Sequence, residues 1–367
     1  MSYKIGVIGG GQLAMMLIEE CKKRGIQTAS LDETADAPAL KIADTAIVGK
    51  FSDECKIEQL CKECDVVTYE FENIDCAAVE DLSKKYNIMQ GARPLFYSKN
   101  RVTEKTFAEE NGLTPPKFMA VNSFLSLTKA IEYVKLPAVL KTCTMGYDGK
   151  GQYVIRTAKD IKKIPQILYE DSILEEFIPF DYETSCIVIR NKNDEIVHLP
   201  LGQNIHKNGI LDMCVVPSKK ISAEMELKIV NASEEFMRKA DFYGIVAIEY
   251  FVKGNDFFFN EMAPRPHNSG HYSIEGCDVS QYGCLVDCLC GEHLRQPKLL
   301  QPTFMKNILG QDVDNLKKLK IDESTFVHDY HKSEKRVNRK MGHVTFTKMT
   351  EEEFFKMNEN VFGGHNE

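Results

Sequence analysis

Apolar and polar positions along the chain fall into two textures. Up to about residue 100, short apolar runs alternate with amphipathic helical stretches: Ile5-Gly-Val-Ile8, then 12–24, then Thr28-Ala-Ser-Leu31, and further on Asp65-Val-Val-Thr-Tyr69. That alternation predicts a parallel sheet covered by helices. A helical run beginning near Arg101 is closed by Gly112-Leu-Thr-Pro-Pro116, because two prolines cannot continue it. Beyond Pro115, longer β-prone runs take over at 138–141, 152–155, 172–178 and 182–190, with helices expected at 123–133 and 224–243. Strands with segregated helices indicate an α+β unit. A link rich in Pro and Gln at 296–302 leads to a tail of short strands and a basic run, Lys332 to Lys340. The expected organisation is therefore a parallel-sheet domain over 1–100, an α+β domain over 101–295 and a small β-rich domain over 296–367.

One segment of this pattern carries chemistry. Glu249-Tyr-Phe-Val-Lys-Gly-Asn-Asp-Phe-Phe-Phe-Asn-Glu261 reads as two apolar runs about a Gly254-Asn255 turn. A three-residue loop would set Glu249 opposite Glu261 with Cβ atoms roughly 5 Å apart, whereas a two-residue loop would slip the register. Two carboxylates that close repel unless a cation lies between them, and with the Asn260 amide they suit Mg²⁺, or Mn²⁺ in its place. The alternative is a pair of solvated glutamates on a surface hairpin. Arg265, His267, Asn268, Ser269 and His271 follow at once, a polar cluster that needs many partners.

Composition narrows the class. The chain has 367 residues, 43% of them hydrophobic, enough for two or three domains with a sizeable core. Forty-six basic against fifty-four acidic residues give a net charge of −8. That balance argues against nucleic acid or a membrane surface as partner but leaves small anions open through local basic clusters. A cytoplasmic location is expected, since no stretch is apolar enough for a signal or membrane span. The twelve cysteines are scattered and read as reduced packing residues. Cys61-x-x-Cys64 has metal-like spacing but no second pair, and Cys284, Cys288 and Cys290 fall on one helix-like run.

Two glycine-rich segments invite phosphate. Gly9-Gly-Gly-Gln-Leu13 follows a strand and opens a helix, with Asp32 at the end of the next strand, the spacing of a dinucleotide fingerprint. The same turn can bind any phosphate or merely pack helix on strand. The loop Thr144-Met-Gly-Tyr-Asp-Gly-Lys-Gly-Gln152 lies between two strands, so it is no Walker loop. Its Gly146, Gly149 and Gly151 free backbone amides for phosphate oxygens, Lys150 adds charge, and Lys141 on the preceding strand could reach nucleotide phosphates, although a hairpin tip needs glycine too. Glu175-Glu176-Phe177-Ile178 reads either as a strand end or as an adenine-edge reader, and His206 alone says little.

Taken in order, Lys141, the 146–152 loop, Glu175 to Ile178, Glu183, and Glu249 with Asn260-Glu261 resemble the ATP-grasp superfamily. Within it, the Gly9 turn, Tyr69-Glu-Phe-Glu-Asn73, Asn204-Ile-His206, Arg265-Pro-His-Asn-Ser-Gly-His271 and Arg339-Lys-Met-Gly-His343 resemble the 5-(carboxyamino)imidazole ribonucleotide synthase family, over about residues 4 to 347. The resemblance implies an ATP-grasp fold with a Rossmann-like N-terminal domain. It implies ATP- and Mg²⁺-dependent carboxylation of 5-aminoimidazole ribonucleotide by bicarbonate through carboxyphosphate in purine biosynthesis, and a homodimer.

By motif position it assigns Arg101, Lys141, Gly146 to Gln152 (Tyr147, Asp148, Gly149, Lys150 and Gly151 among them), Glu175 to Ile178, Glu183, His206, Asn260 and Glu261 to ATP, and Glu249 and Glu261 to the metal. Glu72, Arg265, His267, Asn268, Ser269, His271, Lys332, Arg339 and Lys340 would face the ribonucleotide, with Tyr147, Asp148, Lys150, His267 and Lys340 catalytic. Lys150 stands where the family commonly has Arg, and Arg336-Val-Asn-Arg-Lys340 where it commonly has Arg-Pro-Gly-Arg-Lys. Three other readings stay open: a formate-using ATP-grasp ribonucleotide formyltransferase, a nicotinamide-dependent dehydrogenase built on the Gly9 turn, and a non-catalytic nucleotide-binding module.

Overall fold

The apolar runs ahead of residue 70 pair as β1 (Lys4–Ile8), β2 (Gln27–Asp32), β3 (Thr45–Val48) and β4 (Val66–Tyr69), all parallel and in the order β3-β2-β1-β4. β3 was not foreseen from the sequence, because four residues alternating buried and exposed leave too short a pattern. The computed structural model describes residues 3–144 and 151–363, so the expectations for Gly146, Tyr147, Asp148, Gly149 and Lys150 lie outside the described residues.

The second sheet is antiparallel, β5-β8-β6-β7, built from β5 (Phe118–Val121), β6 (Ala138–Thr142), β7 (Gln152–Ile155) and β8 (Ser172–Glu176). β8 stops at Glu176 rather than Ile178. The helix Phe124–Val134, started by a Ser123–Ser126 capping box, buries Leu127, Ala130 and Val134 against Leu140, Ile155 and Leu174 of this sheet.

The third sheet has nine strands: β9 (Tyr182–Arg190), β10 (Ile196–His198), β11 (Gly202–Lys207), β12 (Ile210–Val216), β13 (Gly244–Lys253), β14 (Asp256–Ala263), β15 (Thr303–Leu309), β16 (Thr325–Asp329) and β17 (Lys340–Thr347). They run β14-β13-β9-β11-β12-β15-β17-β16, with β10 beside β9. The expected small C-terminal domain therefore adds its strands to the middle domain's sheet through the β12–β15 pairing. One apolar core ties that sheet to the N-terminal domain, with Ile5, Val7 and Leu17 meeting Ile187, Ile245 and Leu285.

The acidic hairpin forms by a different route from the one expected. Lys253 pairs with Asp256, so the loop is the two residues Gly254-Asn255, with Gly254 in the left-handed region at φ 58°. That register alone would not pair Glu249 with Glu261. A β-bulge restores it: Tyr250 faces Phe259, Glu249 faces Glu261, and Asn260 is the extra residue.

Candidate active site

The three sheets surround one cleft of about 1490 Å³. Its first wall is made by β6 and β8. Lys141 Nζ lies 2.8 Å from Glu175 Oε2, which also receives Lys105 Nζ at 3.4 Å. Burial alone would raise the Glu175 carboxyl, but the two ammonium groups hold it down to about 2. Its other oxygen, Oε1, is buried without a partner among the described residues. The amides of Glu176 and Phe177 are already given to the carbonyls of Lys117 (2.8 Å) and Pro137 (3.2 Å), so they cannot also read a base. With Val139, Val154 and Ile178, the Phe177 side chain makes this end of the cleft apolar.

The second wall is the hairpin. Glu261 Oε2 accepts from Arg101 Nη1 at 2.8 Å, and Glu249 Oε1 lies 3.1 Å from His267 Nε2. Burial pushes the Glu249 carboxyl up, yet His267, with His206 and Lys340 beyond it, brings it to about 2, so it stays ionised. The Asn260 side-chain oxygen is buried with no partner among the described residues. Two opposed carboxylates with an unsatisfied amide oxygen beside them form a hard oxygen donor set that fits Mg²⁺. Glu183 Oε2 accepts from His206 Nδ1 at 2.7 Å, which raises the imidazole's pKa despite its burial.

The third wall brings in the N- and C-terminal segments. Arg265 makes a two-pronged contact with Glu72, at 3.1 Å through Nε and 2.7 Å through Nη2, so the cleft spans the junction of the first two domains. Lys332, Arg339 and Lys340 line the cleft from the far end. Lys332 Nζ donates to the Lys340 carbonyl at 2.8 Å, and Arg339 Nη1 to the Glu334 carbonyl at 2.8 Å. Asn338, where the resembled family has Gly, takes φ 63° and exchanges two hydrogen bonds with Gln311, at 2.8 and 3.1 Å. Asn tolerates this left-handed region better than most residues, so the turn is kept.

Not every expected residue reaches the cleft. Ser269 and His271, expected to face substrate, are about 2% and 1% exposed and sit behind the lining. Ser269 supports His267: its Oγ and backbone N–H both point at His267 Nδ1, at 2.8 and 3.3 Å, and Ser185 Oγ closes on Ser269 at 2.6 Å. His271 packs against Tyr282 and His343, and burial holds its pKa well below the usual histidine value. Asn268 lines the cleft but exchanges amide bonds with Asn307, 2.9 Å in one direction and 2.5 Å in the other.

At the Gly9 turn three backbone amides are spent on internal carboxylates. Gly10 N–H goes to Asp32 at 2.8 Å, Gly11 N–H goes to Glu70, and Ala14 N–H goes to Glu70 at 2.8 Å. Asp32 is thus spent on the turn instead of a ribose, which removes the structural basis for the dehydrogenase reading. Glu70 was missed from sequence, as were Glu104 and Lys105. Glu104 is buried and, by desolvation and the nearby Glu261, raised to about 8. The signal for both was present in the spacing Arg101, Glu104, Lys105, which places them on one helix face with a residue already singled out.

Comparison with known proteins fits this geometry. Residues 106–282 match the ATP-grasp domain, residues 1–97 the ribonucleotide synthetase preATP-grasp domain, and residues 303–356 the phosphoribosylaminoimidazole carboxylase C-terminal domain. An N5-carboxyaminoimidazole ribonucleotide synthase of Staphylococcus aureus (strain MRSA252) is 38% identical over 348 residues, covering 93% of this chain and 91% of that protein. The chain belongs to the N5-carboxyaminoimidazole ribonucleotide synthase family. The family's enzyme from Bacillus subtilis (strain 168) is 36% identical over 355 residues, 96% of this chain and 93% of that protein. A crystal structure of the family's ADP complex superposes with a TM-score of 0.95 at 37% identity, covering 98% of this chain and 96% of that one. The Aspergillus clavatus enzyme, solved with ADP and 5-aminoimidazole ribonucleotide, gives 0.91 at 27% identity with 98% of each chain covered. Among the described residues no helix is long and apolar enough to cross a membrane.

Proposed function

We propose the following division of labour for the ATP-dependent carboxylation of 5-aminoimidazole ribonucleotide to its N5-carboxyamino product, the family's step in purine biosynthesis. The observation that carries it is one cavity lined at one side by Lys141, Glu175, Glu249, Asn260 and Glu261 and at the other by Glu72, Arg265, Lys332, Arg339 and Lys340. The apolar end at Val139, Val154, Phe177 and Ile178 takes the purine ring of ATP. Lys141 and Arg101 meet its phosphates, and Glu249, Asn260 and Glu261 hold magnesium, which when bound supplies charge neutralisation as the terminal phosphoryl group moves. Bicarbonate is a poor electrophile, so it takes the phosphoryl group first, giving carboxyphosphate and ADP. Attack by the ribonucleotide's exocyclic amine then releases phosphate.

Arg265, locked by Glu72, and His267, steadied by Ser269, orient that amine; Arg339 and Lys340 grip the ribonucleotide phosphate. By the family's motif, Tyr147, Asp148 and Lys150 belong to the loop that excludes water from carboxyphosphate, and the working unit is a homodimer.

The test is ADP release with ATP, Mg²⁺, bicarbonate and 5-aminoimidazole ribonucleotide, omitting each in turn and replacing bicarbonate with formate. Full turnover requires all four. Release that ignores the ribonucleotide, or that runs equally on formate, overturns the assignment.

A further inference from the structure

Arg101, Glu104 and Lys105 share one face of the helix Arg101–Glu110, and that face runs along the outer edge of β14, which among the described residues ends the sheet beside β13. Outward backbone groups of an edge strand need partners once they are covered. Here the partners include two ionisable side chains. Glu104 Oε1 accepts the Met262 N–H at 2.7 Å, and Lys105 Nζ donates to the Asn260 carbonyl at 2.7 Å. These two bonds bracket Glu261 along the strand, and Arg101 takes its carboxylate from the same helix.

Ionisable groups in such a place are costly. Lys105 is about 0% and Glu104 about 2% exposed; an apolar side chain would avoid burying an ionisable group but would leave the Met262 N–H or the Asn260 carbonyl unpaired. What an apolar side chain cannot do is hold one register. Asn260 is the extra residue of the β-bulge, and a slip of one residue there would turn Glu261 away from Glu249. Lys105 also reaches Glu175, the partner of Lys141, at 3.4 Å, so a single ammonium touches both the bulge and the first wall of the cleft.

We infer that Glu104 and Lys105 are positioning residues, a clamp that fixes the Asn260 bulge and thereby holds the Glu249–Glu261 pair ready for the metal. The inference rests on the reading of that pair as the Mg²⁺ site.

The experiment measures ADP affinity by calorimetry with and without Mg²⁺, alongside thermal unfolding and the ribonucleotide KM, for the wild type and Lys105→Met. The variant keeps its fold and its ribonucleotide KM, while the Mg²⁺-dependent gain in ADP affinity, taken relative to its own metal-free value, falls by at least about tenfold, the scale of one lost hydrogen bond to a charged group. A folded Lys105→Met with the Mg²⁺ gain intact overturns the clamp. If that variant does not fold, Glu104 decides: Glu104→Leu loses the Mg²⁺ gain, Glu104→Gln keeps more of it because its amide oxygen still accepts from Met262, and equal behaviour of the two overturns the inference. If the wild type itself shows no Mg²⁺ gain, the metal reading falls, and the clamp is then judged by amide hydrogen exchange at Met262 without metal. Faster exchange in Lys105→Met supports it; unchanged exchange overturns it.

Discussion

The turn at Gly9–Gly11 and the cleft wall carrying Lys141, Glu175 and the β13–β14 hairpin both have the composition of an anion site, yet their hydrogen-bonding capacity is spent differently. At the turn, two carboxylates from neighbouring strands take the amides: Asp32 that of Gly10, and Glu70 those of Gly11 and Ala14. A Cβ on Gly9 would come within 2.3 Å of the Glu70 side chain, so the glycine there makes room for an internal carboxylate. In the cleft the charged groups are also paired, but Glu175 Oε1 and the Asn260 side-chain oxygen remain buried and unsatisfied among the described residues. A buried acceptor with no partner is costly unless something arrives to meet it. Gly11, Gln12 and Leu13 border the same cleft, but the unsatisfied acceptors lie with Glu175 and Asn260, and leftover capacity rather than the glycine pattern marks where a ligand is met.

The largest expected effect tests the cleft side of this contrast. Glu261→Gln or Lys141→Ala should lower ADP release by about 10²–10³-fold, the usual loss when one preorganised electrostatic contact is removed, with an unchanged far-ultraviolet circular dichroism spectrum. Near-normal turnover in either variant breaks the comparison. Next, Arg265→Lys should raise the ribonucleotide KM about tenfold, because an ammonium cannot reproduce the two-pronged contact with Glu72; steady-state kinetics with that substrate varied will show it.

The turn side is tested by Glu70→Ala. Urea unfolding should show a loss of about 1–2 kcal/mol, as for removal of a helix cap. Inorganic phosphate should then raise the variant's unfolding midpoint more than the wild type's, since the Gly11 and Ala14 amides become available. Equal shifts would mean that the turn never governed anion access. The smallest effect is read in pH. Burial depresses the pKa of His343 well below 6.5, so protons are taken up there mainly on unfolding. The stability this residue gives is present above 6.5 and lost as pH falls below it. His343→Gln should flatten the fall in Tm between about pH 7 and pH 5; a slope unchanged from the wild type would place the acid sensitivity elsewhere.

Much of this arrangement was legible in the sequence. Alternating runs before residue 70 foretold the parallel sheet, and Lys141, Glu175, Glu249 and Glu261 do meet in one cleft. The route to the Glu249–Glu261 pairing was not legible. Hydrophobic alternation reports faces, and a bulge changes the count of residues without disturbing the faces on either side of it, so a two-residue turn plus Asn260 looks the same as a three-residue loop. Glu104 and Lys105 were passed over because charged residues on a helix ordinarily face water, and only the tertiary position of β14 puts them inside. The same holds for Ser269 and His271, whose polar character suggested substrate although their partners turned out to be His267, Ser185, Gln281 and Tyr282. The continuation of one sheet across residue 296 had no signal in the sequence, since strand neighbours far apart along the chain leave no local pattern.

That continuous sheet limits how the enzyme can move. The acidic pair lies on β13 and β14 and Lys340 opens β17, all within one hydrogen-bonded plate. Sliding either relative to the other would break backbone bonds in several strands at once. Lys141, by contrast, belongs to the separate four-stranded sheet β5-β8-β6-β7. Among the described residues the smaller sheet shares no ladder bonds with that plate, so moving it against the acidic pair breaks fewer backbone bonds than shearing the plate would.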